Sequence, residues 1–503
     1  MFRYSRPSMS MAAGALLAAS LAAAPAAAQT LRIGAAELPP SAADPTTSLT
    51  RSSVFVWQAM FNAVAKVDGT GKPQPILAES WQNLSPMTWR VKMRPGVTFH
   101  NGEPLTAEAL VDAVTNLISD EGKTKGGPVY GTLRPLAGAK KIDDMTVEIT
   151  TSTPTPTLMA DMGALMIVAP KAWASLGRDG FSRNPAGTGP FQQVSWSDSK
   201  VVLKRADNAL RKGKVDGIEI LVLPEVASRV QAFASNQVDL AWSLIPDARR
   251  EVERAGGTLV AGPTAAVNTL IMHAQKPGPT QDKRVRQAIN YALDKSFTET
   301  LLNGTAVPAS QPAARAVRGH QADIRPYAYD PAKAKALLAE AGVPNGFPLS
   351  ADVTIGNNKD ILEKAAADLT RIGIPLQLNP ITLPDLLARR DGKKEFDGVM
   401  FYYNFNGQPG NDMMRPINSL HSCGFPRQWV CFPEIEPTIA MANSEFDEKK
   451  RDEALRKIAL YYHENAPALW LEESSELSAV SKKVKNYENV NWQINYTEIE
   501  MTR

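Results

Sequence analysis

The chain has 503 residues, and its 55 Lys and Arg stand against 52 Asp and Glu, a formal net charge of +3. So even a balance gives no electrostatic reason to bind nucleic acid or an anionic membrane. The length is too great for one small core and calls for two or three lobes.

The first 28 residues stand apart. Arg3 and Arg6 precede an Ala-rich apolar stretch that ends in Ala26-Ala27-Ala28. A charged head, an apolar middle and a small-residue site make a secretory signal, cut before Gln29. A membrane anchor is the competing reading, but the stretch has few large apolar residues and runs straight into the cleavage site. No Cys lies in or near it, which excludes a lipid-attached Cys. No later segment approaches the ~20 apolar residues of a spanning helix. The mature chain is expected to be a soluble, exported protein.

Residues 31–36 then read as a strand, and residues 52–67 place Val56, Met60, Phe61 and Val64 at helical spacing before the breaker DGTG. Residues 88–99 alternate as a strand, and Thr106 starts a helix through Leu117. Residues 140–151 carry a hairpin pattern, and the TPTPT run starts another helical stretch. Residues 194–207 and 215–224 are strands around a polar turn, and 225–244 a helix followed by a short strand. Helices are expected at 284–295 and 331–341. A strand at 349–355, a helix at 359–372 and a strand at 374–381 form a unit that implies parallel pairing with a right-handed crossover. A strand-like run covers 396–403, and a long last helix 445–465. The class is α/β with mixed sheets.

Cys423 and Cys431 are the only cysteines. In an exported chain two nearby Cys predict a disulfide, whose small loop is worth at most about 2–3 kcal/mol. A metal site built from His421, Cys423 and Cys431 is the alternative, though the spacing fits no standard zinc pattern. Catalytic signatures are missing. None of the five His sits in an H-E-x-x-H pair, and there is no G-x-S-x-G elbow, P-loop or G-x-G-x-x-G. His100 and Glu103 are drawn more simply as parts of a turn than as an acid–base pair.

The most specific text is WRVKMRPGVTFHNGEPLTAEALVDAV at 89–114. It resembles the signature of the extracellular solute-binding proteins, family 5, whose best-known members bind dipeptides and oligopeptides for ABC importers. ILAESW (76–81), NPAGTGPFQQVSW (184–196), ASNQVDLAW (234–242), KRVRQAINYALDK (283–295) and YDPAKAKALLAEAG (329–342) are similar to further motifs of that family, in its order. Read physically, Gly96, Gly187 and Gly189 supply turns that tolerate positive φ, and Trp89, Phe99, Leu105 and Phe191 belong to the core.

The resemblance implies a two-lobe periplasmic binding protein of type II, cluster C-like, with mixed β-sheets and a hinge. It divides the mature chain into a first lobe (29–267), a second lobe (268–475) and a return to the first (476–503). The chain crossings fall near 267–270 and 473–477. Ligand is then expected in the cleft, with the lobes closing on it. An ABC permease is the expected partner, the protein is expected to be a monomer in the periplasm, and no cofactor, metal or catalytic residue is expected. A sensor or chaperone docking on a receptor is one alternative, and a secreted hydrolase another.

In dipeptide-binding members the second lobe carries an aromatic-rich loop and then an Asp that accepts the peptide's ammonium group. FYYNFNGQPGND (401–412) occupies that place here, with the disulfide loop after it. Matching Tyr403 to the family's Trp puts Asn406 at the Asp position. An ammonium buried without an anion costs several kcal/mol, and Asn cannot neutralise it. The ligand is therefore expected to be neutral or anionic at that end, unless a shifted loop brings in Asp412. Tyr403, Asn404 and Asn406 are the leading ligand contacts, with Asn268, Trp429 and Arg415 as further candidates.

Overall fold

The computed structural model describes residues 1, 29–354, 358–424 and 429–502. The leader lies outside the described residues, apart from Met1. One mixed sheet runs through the molecule. Its order is Phe191–Trp196, Lys200–Arg205, Gly217–Val222, Thr30–Ala35, Leu240–Ala241, Ala468–Val480, Thr258–Met272, Met400–Asn406, Leu349–Val353 and Leu376–Pro380. A separate sheet is built from Ala78–Ser85, Thr88–Met93, Thr146–Thr151 and Leu136–Asp143.

Two long antiparallel strands join the halves of the large sheet. Thr258 pairs with Val480 at one end and Ile271 with Ala468 at the other, and the register shifts between Pro263 and Thr269. Before the shift, Leu259, Leu477 and Ala479 pack in a first-lobe cluster. After it, Val267, Ile271 and Trp470 join the second-lobe core. The fold is thus two lobes strung on a strand pair.

Most elements follow their sequence patterns. Leu349–Val353 and Leu376–Pro380 pair in parallel around the helix Lys359–Thr370. Residue 355, at the end of the expected strand, lies outside the described residues. The last helix is Glu448–Asn465, capped by the carboxylate of Asp447, which accepts from the Lys450 N–H. Three expectations need correction. The strand expected over 194–207 is a hairpin of Phe191–Trp196 and Lys200–Arg205, broken by the polar turn at 197–199. The helix expected over 52–67 is Arg51–Met60, and the chain then turns extended at Phe61 (φ −128°, ψ 156°) into the short strands Asn62–Ala63 and Ala65–Val67. The strand expected at 396–403 is Met400–Asn406, so FYYNFN is strand rather than loop.

The glycines of the GTG run also differ from expectation. Gly96 has φ +76°, but Gly187 and Gly189 are not in the left-handed region. They allow close approach instead, since a Cβ at either position would run into the Met60 carbonyl group. His100 helps fix that turn, with Nε2 2.9 Å from the Gly189 carbonyl oxygen. Glu103 accepts the Lys171 and Ala172 N–H groups at the start of a helix. Both are structural. Trp89, Phe99, Leu105 and Phe191 are all core residues.

Candidate functional site

A cavity of about 780 Å³ lies between the lobes. That is enough for a solute of peptide size. The first lobe contributes the strand Ala65–Val67 and the C-terminal segment around Trp492, and the second contributes Asn406, Gln408, Pro409 and Arg415. The rims touch: Gln408 Nε2 donates to the Asn491 carbonyl at 3.0 Å, and Asn491 Nδ2 to the Ala316 carbonyl at 2.7 Å.

Of the six residues expected to contact ligand, the structure brings two to the cavity wall, Asn406 and Arg415. Asn406 ends its strand, and its Oδ1 accepts the Gln408 N–H at 2.9 Å, shaping the turn that follows. Arg415 lies in the helix Met414–Leu420, half-buried, beside Asp161 of the first lobe. Burial pushes the Asp161 carboxyl up to about 6, against the pull of Arg415.

The other four sit elsewhere. Tyr403 faces the second-lobe core, and its hydroxyl accepts from Arg390 at 3.3 Å. Trp429 is 2% exposed and packs edge-on to Phe396 and Phe401, at 5.2 and 4.6 Å between ring centroids. Its large apolar ring is core, not cavity wall. Asn268 pairs with Asn404 across adjacent strands. Asn268 Nδ2 donates to Glu472 at 2.7 Å, whose carboxyl burial pushes up to about 7. Neither Asn268 nor Asn404 reaches the cavity wall. Cys423 and Cys431 form a disulfide, so their sulfurs are not metal ligands. His421 is stacked on Phe405, 3.9 Å between centroids.

Asp412 does not take over the missing carboxylate. Arg451 Nη1 and Nη2 donate to its two oxygens at 2.7 and 3.0 Å, and both side chains are buried. Among the described residues the one carboxylate on the cavity wall is Asp68. Its Oδ1 accepts from the Thr70 and Lys72 N–H groups and the Thr70 hydroxyl, and its Oδ2 from Gln74 Nε2, at 2.7 to 3.1 Å.

Sequence reasoning missed the first-lobe wall. Lys66 projects from a three-residue strand, Arg211 lies in the segment before Gly217–Val222, and Trp492 sits at a hairpin tip. That hairpin pairs Val490 with Gln493, so Asn491 and Trp492 are its two turn residues, at φ +54° and +62°. Asn suits this left-handed turn; a bulky Trp there is an outlier.

Two lobes on a shared strand pair, with a cavity walled by both, define a ligand-binding protein of the two-lobe periplasmic class. Residues 72–422 match the family described as bacterial extracellular solute-binding proteins, family 5 Middle. A glutathione-binding protein of Pectobacterium atrosepticum is 25% identical over 462 residues, covering 88% of each chain. A dipeptide-binding protein of Escherichia coli is 28% identical over 457 residues, covering 83% of this chain and 84% of its own. Among solved structures, HbpA2 from Haemophilus parasuis superposes with a TM-score of 0.83 at 20% identity, over 94% of this chain and all of the other. The chain belongs to the bacterial extracellular solute-binding proteins, family 5, the solute-capturing subunits of ABC importers. No helix among the described residues is long and apolar enough to cross a membrane.

Proposed function

We propose that this protein captures, in the cavity between its lobes, a solute that has no free ammonium group. The observation that carries the reading is the state of the carboxylates. Asn406 stands on the wall, Asp412 is held by Arg451, and Asp68, on the first-lobe wall, is hydrogen-bonded within its own turn. A closed cleft has lost most bulk water, and an unpaired ammonium there costs several kcal/mol. Micromolar affinity is only about −8 kcal/mol in total, so the penalty decides the ligand class. Relatives named for dipeptides and glutathione share the scaffold without dictating this choice. Calorimetry with free dipeptides and glutathione is the test: no micromolar binding is expected, and micromolar binding of either sinks the reading.

The rest of the reading is a periplasmic monomer without catalytic activity, handing its solute to a permease. The hinge falls at the register shift, at residues 263–267 on one strand and 473–475 on the other. Cleavage before Gln29 is supported by the place of that residue. Its N–H donates to Asp216 at 2.9 Å, where a freed terminal ammonium gains an ion pair. Mass spectrometry of the exported protein checks the cleavage site.

A further inference from the structure

The geometry points to an anion subsite on the first-lobe wall of the cavity, formed by the Lys66 ammonium and the Arg211 guanidinium, that takes the carboxylate of an amine-free solute. This rests on the reading that the cavity is the ligand site.

The two cations share a wall and lack counter-ions. Among the described residues neither side chain has a hydrogen bond or ion pair, while both line the cavity. Of the remaining cations there, Arg94 is hydrogen-bonded, and Arg415 has a carboxylate nearby, Asp161, without a hydrogen bond or ion pair to it among the described residues. Arg94 Nε donates to the Ile76 carbonyl at 2.8 Å and Nη2 to the Ala78 carbonyl at 3.4 Å. Asp68 Oδ1 accepts from the Thr70 and Lys72 N–H groups and the Thr70 hydroxyl, and its Oδ2 from Gln74 Nε2.

Lys66, half-buried in the cavity wall, is weakened by loss of water and by the like charge of Arg211, whose own side chain is exposed. Burial first, and Arg211 second, push the Lys66 ammonium down to about 8. A carboxylate placed between them removes both penalties and gains charge-assisted hydrogen bonds, with the guanidinium fork able to hold two oxygens. Such a ligand also meets a second-lobe wall where Asn406 stands and Asp412 is held by Arg451. Trp492, half-buried on the same wall, offers a ring face for an apolar or planar body attached to the acid. The class is thus carboxylates whose nitrogen, if any, is acylated or otherwise uncharged.

The test is a thermal-shift screen of small carboxylates, N-acetyl-alanyl-phenylalanine among them, each paired with its primary amide, followed by calorimetry. It is run on the wild type, on the Lys66→Met/Arg211→Met double variant, on Lys66→Arg, and on Asn406→Trp, which fills the cavity from the second lobe. Ligand-free unfolding of each variant establishes that it is folded. Acids are expected to raise the melting temperature by mass action. The tightest should bind at least tenfold more tightly than its amide. The double variant should lose that tenfold for the acid and nothing for the amide, and Lys66→Arg should keep it. An amide that matches its acid, an acid unaffected by the double variant, or a screen in which no acid shifts the melting temperature overturns the subsite. Binding that is lost in Asn406→Trp but kept in the double variant defeats the subsite alone. Binding that survives Asn406→Trp defeats the cavity reading itself.

Discussion

Arg451 grips both carboxylate oxygens of Asp412, at 2.7 and 3.0 Å, inside the second lobe. This pair closes the route by which Asp412 could serve a ligand's amine. It also makes a stability prediction. Asp412→Asn leaves a buried guanidinium without its anion and should cost about 3–5 kcal/mol in denaturant unfolding. Adding Arg451→Met should recover most of that, because removing both charges is far cheaper than removing one. A loss under about 1 kcal/mol in the single variant would mean that the pair is solvated, and Asp412 available.

Asn406→Asp is the direct conversion toward amine binding. The new carboxylate can still accept the Gln408 N–H, so the turn should survive. It should raise affinity for a free dipeptide such as alanyl-phenylalanine at least tenfold and lower affinity for acylated acids. Calorimetry on the two proteins decides it. No gain for the dipeptide contradicts position 406 as the one that decides against an amine.

Trp492 supplies a prediction that separates strain from contact. Trp492→Ala and Trp492→Gly lose the same ring, but only Gly relieves the left-handed backbone at φ +62°. The Gly variant should therefore be about 1 kcal/mol more stable than the Ala variant. Both should lose affinity for the same solutes to a similar extent. Equal stabilities would contradict the backbone account.

The strand–helix–strand unit around residues 349–380 was legible because alternation gives way to a 3.6-residue period and back. The first-lobe wall was not, and the reason is physical. Asn62–Ala63 and Ala65–Val67 are too short to complete a repeat, so their apolar residues continue the preceding helix's pattern. Reading Lys66 as helical hides the alternation that sends it away from buried Ala65 and Val67. For the second lobe, composition located the FYYNFN stretch and Asn406, but the side chains' directions depended on strand register. Trp429 illustrates the limit: an aromatic on a disulfide loop reads alike whether its ring faces a cleft or Phe396 and Phe401.

His421 gives a pH signature. Its ring is fully buried, neither nitrogen has a hydrogen-bond partner among the described residues, and burial pushes its pKa down to about 3. The unfolded chain's imidazole titrates near 6.5. Above about pH 6.5 both states are neutral and the term vanishes. As pH falls from there toward about 3, the unfolded state takes up the proton that the folded state refuses, so stability drops by about 1.4 kcal/mol per unit. His421→Phe, which can keep the stack on Phe405, should flatten the acid limb of stability against pH by one proton. An unchanged slope contradicts a neutral buried imidazole.

The central claim is that the cleft holds a solute without an ammonium group, and the bound solute itself tests this most directly. Protein isolated from the periplasm in its liganded form is examined by native mass spectrometry. The solute is then released by denaturation and treated with an amine-reactive reagent. The account predicts an acidic small molecule that leaves the amine reagent unreacted and whose mass matches the adduct on the folded protein. A released solute that carries a reactive primary amine, above all a free dipeptide, contradicts it.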